Sequence, residues 1–413
     1  MKTKNSLLIV FFLLISGAFG YFIWKEIARP KPSYFPLLLK IDFNKPAGRY
    51  SDNILLSEGG KYLAITRYDK FYFINKSIWQ KVWEYDCGFK GKGKISPGGK
   101  YIFIDKFVEQ PKELYNPAIY TNKTILLDEN RKSLWEKAPG LANDGQFSLN
   151  PNVLAIISYS EMGTDFITVN NLQGHELISK DAEMNKYLND AYLLPSGDLL
   201  IFKGGEHISS ISLYDKNGRN IWTYLVKGGG ILKGYPAFSV SKPDKFAVQI
   251  IGEPESDFDK LMILSFSTKK GVLWRKDLTW PSDVFYYVDN YGDKIVYGNS
   301  SDDLIYFHFL DTVTGKQIGK YPINKDFAFK DISKKGDMMV FVCYPPRVEL
   351  NRKNILNADQ KNNIFIFNQQ GQIIYQDKLG KNIVQAQFSQ DEKYLYVLDE
   401  DTFYAYDISG VLK

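Results

Sequence analysis

The run from Gly88 to Lys94, GFKGKGK, comes close to a phosphate-cradling loop, in which glycines let backbone N–H groups face an anion and a lysine adds charge. Ile95 stands where such a loop needs a Ser or Thr for magnesium, and the following SPGGKYIFI reads as strand rather than helix, so nucleotide binding is not expected. The three histidines fall in different stretches of the chain. His175 occupies a polar turn, His207 a loop, and His308, within Tyr306-Phe307-His308-Phe309, a strand; surface or hydrogen-bonded roles suit all three better than ligation. Asp289-Asn-Tyr-Gly-Asp293 is too compact for a calcium loop and reads as a β-turn. Cys87 and Cys343 make neither a CxxC pair nor a disulfide framework. With no GxSxG elbow and no HExxH pair, the sequence offers no catalytic constellation, and neither a cofactor nor a metal is expected.

The elements that would position any site recur along the chain. A short apolar strand leads into a turn built on Ser or a neighbouring polar residue with Gly or Asp, then a Lys, then a second apolar strand. The copies are SEGGKYLAI from Ser57, SPGGKYIFI from Ser96, FSLNPNVLAII around Ser148, LPSGDLLIF from Leu194, SKPDKFAVQI from Ser241, DNYGDKIVYG from Asp289, SKKGDMMVFV from Ser333 and SQDEKYLYVL from Ser389. Seven intervals of about 47 residues separate Ser57 from Ser389, slightly above the period of four-stranded propeller blades. Each unit continues with a third strand, a second polar turn and a fourth strand that often carries Trp, as at Trp83, Trp135, Trp222 and Trp274.

The expected fold is therefore an all-β, eight-bladed β-propeller spanning 36–413, with seven blades the alternative count. Runs such as Phe71-Tyr72-Phe73-Ile74 blur the usual alternation because stacked blades bury both faces of a sheet. A share of 15% aromatic residues supplies flat side chains for the wedge-shaped gaps between blades. Gly60, Gly99, Gly218, Gly315 and Gly371 sit where hairpins need positive φ. The last unit, from Val384 to Ser409, has only three strands, while Pro36 to Phe43 (PLLLKIDF) resembles a fourth strand such as VLWRKDL from Val272. The N-terminal strand is expected to complete the last blade and close the ring.

The first turns, SPGGKYIFI and SEGGKYLAI, resemble the WD40-like repeats of TolB-type propellers, and the second turns, LDTVTGKQIGK and LYDKNGRNIW, resemble those of PQQ-like propellers. The resemblance implies a ring like that of outer-membrane-assembly propellers or quinoprotein dehydrogenases, and says nothing by itself of their partners or cofactor. A quinoprotein-like oxidoreductase is the enzyme alternative, against which stands the missing adjacent cysteine pair of that family.

Leu7 to Trp24 is an uncharged apolar stretch flanked by Lys2 and Lys4 and by Lys25, Glu26, Arg29 and Lys31. At about 1.5 Å per residue it just spans a hydrocarbon core. Residues 1–24 are expected to form one N-terminal transmembrane helix, with aromatic residues at its interfacial end; the alternative is a signal peptide cleaved after Gly20. Residues 25–35, with Arg29-Pro30-Lys31-Pro32, read as a stiff linker. The domain beyond is expected on the extracytoplasmic side, periplasmic or extracellular, of a cell membrane. Of the net charge of +5, five basic groups against Glu26 place +4 in the first 31 residues, so the propeller carries +1 and no nucleic-acid partner is indicated.

Unit lengths differ at one topological point. Insertions at Val108 to Asn122, Gly252 to Lys260 and Tyr344 to Asn363 all fall between the second and third strands of their units, and equivalent loops share one face of a propeller. Candidate partner contacts there are Tyr115, Tyr120, Arg347 and Arg352, of the types enriched at interfaces. Acidic candidates are Glu253, Asp257 and Asp259, with Asp399 and Asp401 in the corresponding loop of the last blade. The function expected is a membrane-tethered, non-catalytic scaffold or assembly factor for protein partners, with carbohydrate or cell-surface ligand binding as the other alternative.

Overall fold

The structure is a computed structural model that describes residues 35–43, 54–88, 91–108, 121–140, 142–148, 153–160, 163–181, 187–204, 208–227, 237–238, 244–252, 260–279, 289–291, 294–301, 304–324, 327–333, 335–343, 363–379, 383–399 and 401–410. These fold into 32 strands and no helix, arranged as eight four-stranded antiparallel blades. Blades 1 to 7 run over residues 54–86, 92–140, 142–181, 187–227, 237–279, 289–324 and 327–377. Blade 8 takes three strands from residues 385–407 and its fourth from Leu37–Asp42, which pairs antiparallel with Thr402–Asp407. Both the eightfold count and the closing strand agree with the sequence expectation. The expected anchor and most of the linker lie outside the described residues.

Within a blade the chain runs from the axis outward. The first strands of successive blades lie side by side, Ile54–Gly59 beside Lys92–Ile95 and Phe327–Ile332 beside Gln385–Phe388. Burial follows position. In blade 1 the second and third strands, Tyr62–Arg67 and Lys70–Asn75, are buried along nearly their whole length, whereas the fourth, Gln80–Asp86, is half open to water. In blade 7 every residue of Met338–Cys343 is buried. Clusters shared by neighbouring blades make the core: Phe71, Phe73 and Ala64 of blade 1 pack with Ile102, Ile104 and Ile125 of blade 2.

Two kinds of turn explain the repeat. At the first, the marker Ser accepts N–H bonds across its own hairpin: Ser96 Oγ from Tyr101 N at 3.1 Å, Ser333 Oγ from Met338 N at 3.0 Å and Ser389 Oγ from Tyr394 N at 2.9 Å. Ser57 departs from this rule. Its strand runs on to Gly59, and its hydroxyl accepts Ile95 N of blade 2 at 3.1 Å instead. At the second turn the last residue of the third strand, or in blade 4 the residue just after it, accepts N–H bonds two to four residues on, an Asx- or Ser-type cap. Asn75, Asp128, Asn171, Asp215, Ser267, Asp311, Asn368 and Asp407 do this, one in each blade. Gly99 illustrates why glycine recurs: its φ is +75°, and a Cβ there would meet Gly59 O at 2.4 Å.

Fourth-strand tryptophans tie blades 1, 2, 4 and 5 to the blade that follows. Indole N–H groups of Trp83, Trp135, Trp222 and Trp274 donate to Glu129 O, Leu172 O, Thr268 O and Thr312 O in the second turn of the following blade, at 2.9 to 3.1 Å. An indole N–H turned from solvent into the seam, on these half-buried rings, needs such an acceptor. Blades 3 and 4 are also joined through backbone pairing of Thr164 with Leu188.

Candidate functional site

Antiparallel strand order fixes two rims. The first and second turns of every blade emerge on one, here the turn rim; the loops between second and third strands, together with the connections between blades, emerge on the other, the loop rim. The three insertions, residues 109–120, 253–259 and 344–362, are each bracketed by a second and a third strand whose described ends lie on the loop rim. Tyr115, Tyr120, Glu253, Asp257, Asp259, Arg347 and Arg352 lie outside the described residues.

Asp399 and Asp401 are described. Asp399 is buried and its carboxylate accepts Asp401 N at 3.0 Å, Thr402 N at 2.7 Å and Tyr404 Oη at 3.2 Å, which shapes the loop. Asp401 is exposed; its carboxylate accepts Tyr68 Oη of blade 1 at 3.4 Å and its carbonyl accepts Phe43 N at 2.7 Å. Asp401 therefore serves ring closure while keeping a face toward solvent, whereas Asp399 holds its own loop.

The groups first considered for chemistry have structural explanations. Lys92–Ile95, the end of the glycine-rich run, is the first strand of blade 2. Gly93 is small because a Cβ there would lie 2.4 Å from the Phe71 ring, and Lys94 pairs with Asp144 at 2.9 Å. His308 is buried, stacked on Tyr297 with centroids 4.6 Å apart, and its Nδ1 meets Gln317 Oε1 at 3.1 Å; burial holds its pKa below the usual imidazole value. His175 caps its own turn through its backbone N–H on Asn171 Oδ1, and His207 lies outside the described residues. Cys87 and Cys343 are buried free thiols, and burial pushes the Cys87 thiol up, away from a reactive thiolate. Among the described residues no group of three His, Cys, Asp or Glu side chains is placed to hold a metal.

What the sequence does not reveal is a cavity of about 320 Å³ at the turn-rim end of the axis, lined by first strands of blades 8, 1, 2 and 3. Its carboxylate is Glu58. One oxygen accepts Lys76 Nζ at 3.0 Å and the Tyr396 hydroxyl, and the other accepts Gln390 N at 2.5 Å. Burial, then the Glu58 charge, push the Tyr396 phenol far up, so it stays a neutral donor. Lys94, near Asp144, and the amides of Gln146 and Gln387 complete the polar lining. Gln146 is itself engaged, donating to Ala191 O at 2.9 Å and accepting Leu193 N at 2.9 Å from blade 4. Such a lining suits a small polar molecule and contains no nucleophile paired with a base. Blades 8 and 1 supply Tyr396 and Glu58 from positions 338 residues apart, which is why spacing conceals the pair. The available signal is that Glu58 replaces the Pro97 of the otherwise matching SPGGKY turn.

No family model and no curated protein matches the chain. Among solved structures it is similar to one described as the Dos1 propeller, at 10% identity over 91% of this chain and 95% of that one, with a TM-score of 0.57. A hydrazine synthase of Kuenenia stuttgartiensis aligns at 10% identity over 89% of this chain and 99% of that one, with a TM-score of 0.48. The Cps50 (Swd1) β-propeller domain of Myceliophteria thermophila aligns at the same identity and coverage, with a TM-score of 0.46. At these identities the likeness is one of fold, and the chain is an eight-bladed β-propeller.

Proposed function

We propose that the protein is a membrane-tethered extracytoplasmic propeller that holds protein partners and performs no catalysis, a kin of the TolB-type and PQQ-like repeat propellers whose turns its own resemble. One observation carries the reading. The three long insertions each lie between a second and a third strand, so they leave a rigid, self-closed ring at one rim. Long loops held on a rigid frame are the usual place for recognition. Leu7 to Trp24 supplies the tether in this reading, and Asp401 joins the loop-rim surface. Pull-down from detergent extract with the full chain should yield a partner that is lost when residues 344–362 are replaced by a short Gly-Ser turn. Retention of the partner by that variant defeats the loop-rim assignment.

The cavity beside Glu58 favours a second reading, binding of a small polar ligand such as a sugar at the mouth of the axis. A glycan array probed with the purified chain tests it; uniform absence of binding disposes of it.

A further inference from the structure

Every blade carries the same irregularity in its outermost pair of strands. In blade 1, Ile74 pairs with Lys81 and Phe73 with Trp83, so Val82 is skipped; in blade 2, Leu127 pairs with Ser133 and Leu126 with Trp135, so Leu134 is skipped. The same reading gives Leu177, Ile221, Leu273, Ile318 and Ile374 in blades 3 to 7 and Leu38 on the closing strand of blade 8. A bulge re-aims a side chain. Here it lets the next residue, Trp in four blades, turn inward to its neighbour, and leaves an aliphatic residue at the skipped position all eight times. Five of these stand open to water: Val82 at 51%, Leu134 at 41%, Leu177 at 48%, Ile221 at 43% and Ile318 at 54%. Leu38, Leu273 and Ile374 are half-buried. Single exposed aliphatics are ordinary, whereas the same strand position open to water in five blades is not.

The belt lies within the first three residues of the fourth strands, about 7–10 Å from the turn rim at some 3.3 Å per residue. That rim is cationic at its surface. Lys132, Lys216, Arg219, Lys269, Lys270 and Lys316 are exposed in the adjoining second turns, while Asp128, Asp215 and Asp311 of the same turns are half-buried, with carboxylates bound to turn N–H groups. Backbone N–H bonds from Arg219 and Asn217 hold the Asp215 pKa below its usual value. The chain also enters the ring on this side: Leu37 pairs with Tyr406 at the turn-rim end of the third strand of blade 8, and Asp42 pairs with Thr402 at the loop-rim end.

We infer that the turn rim of this propeller docks on an anionic bilayer surface, its exposed Lys and Arg side chains meeting lipid phosphates and its bulge belt reaching the headgroup level. Interfacial binding combines these same two contributions, apolar burial to a depth of about 5–10 Å and attraction of Lys and Arg to anionic lipid. The inference rests on the proposed tether, since the apolar stretch Leu7 to Trp24 precedes the turn-rim entry by about a dozen residues. It leaves the loop rim pointing away from the membrane.

Full chain is reconstituted in nanodiscs of one part phosphatidylglycerol to three parts phosphatidylcholine containing a headgroup-nitroxide lipid. A dye is attached at Ile318→Cys in the belt or at Val384→Cys, which precedes a first strand on the loop-rim side; native Cys87 and Cys343 are buried. Quenching at position 318 should exceed that at 384 at least threefold, and the excess should fall by half or more when Lys216, Arg219, Lys269 and Lys270 are all replaced by Gln. Equal quenching at the two positions, or an excess untouched by the four replacements, in discs that retain the protein overturns the docking and leaves the tether standing. Protein that elutes apart from the discs overturns both.

Discussion

Removing the two phenylalanines that flank the closing strand should open the ring. Phe35 is 8% exposed and stacks on Tyr375 of blade 7, with centroids 3.6 Å apart and planes at 18°; Phe43 is 5% exposed and meets Tyr72 of blade 1 at 5.2 Å. The strand between them, Leu37–Asp42, therefore holds both neighbours of the blade it completes. Phe→Ala at a buried site costs about 3–5 kcal/mol. The two rings lie at opposite ends of the strand and in different clusters, Phe35 with Tyr375 and Leu379 and Phe43 with Tyr72 and Tyr396, so their effects should add to about 6–10 kcal/mol. That is comparable to the whole stability of an ordinary domain, about 5–15 kcal/mol.

In the chain from residue 35 onward, Phe35→Ala and Phe43→Ala should each lower the free energy of urea unfolding by about 3–5 kcal/mol. The double variant should release Leu37–Asp42 and leave Thr402–Asp407 as an unpaired edge, so light scattering should detect dimers or larger species. Leu37→Ala, at a residue 51% exposed, serves as control and should stay within about 0.5 kcal/mol of the parent. A double variant that remains monomeric with an unchanged urea midpoint would refute the idea that this strand holds the ring closed.

Four further outcomes follow from the geometry. Tyr396→Phe removes a buried donor to Glu58 across the seam of blades 8 and 1 and should cost about 1.5–3 kcal/mol, with its effect largely absent in a Glu58→Ala background, where the acceptor is gone; full additivity of the two changes counts against the coupling. Trp135→Phe should lose about 1–2 kcal/mol, since Leu172 O loses its indole donor, and an unchanged melt contradicts the inter-blade tie. Gly99→Ala should cost more than about 1 kcal/mol, because φ is +75° and Gly59 O is in the way, whereas Gly98→Ala, with open space around it, should be neutral; similar values for both dismiss the strain argument. Burial lowers the His308 pKa, so protonation favours the unfolded chain and stability is lost as pH falls below about 6.5. His308→Phe should accordingly lose less stability than the parent between pH 7.5 and 5.5, and equal losses would exclude that contribution.

Architecture was legible because it depends on local events repeated eight times. An Asx or Ser caps the second turn in every blade, a Ser caps the first in blades 2, 7 and 8, and all five glycines expected at positive φ, from Gly60 to Gly371, have it. Even the closing strand was visible, because PLLLKIDF copies a fourth strand. The site was hidden because its members are neighbours only after closure, Glu58 and Tyr396 above all. Bulges were hidden for a different reason. Val82-Trp83 or Ile221-Trp222 looks like uninterrupted strand, and nothing in the alternation shows that one of the pair is skipped by its partner strand. Blade 8 shows how far the repeat bends: Glu392 takes the position of Gly99 with φ of +60°, and its buried carboxylate accepts Lys335 N of blade 7 at 2.6 Å.

The two rims differ in what their residues are free to do. On the turn rim every second turn is held by its own cap and adjoins a bulge; a change there is felt by the next blade through a Trp or a carboxylate such as Glu58. Between second and third strands the chain spends 12 and 19 residues at 109–120 and 344–362, where blade 1 needs only Tyr68 and Asp69. Recognition that varies from one propeller to another can evolve on the loop rim without reopening the ring. A position repeated in every blade, such as the skipped aliphatic of the bulge, with basic second turns beside it in blades 2, 4, 5 and 6, suits a partner without a unique shape. A lipid bilayer is such a partner, and a folded protein is not, so the proposed division places the membrane on the uniform rim and the protein partner on the variable one.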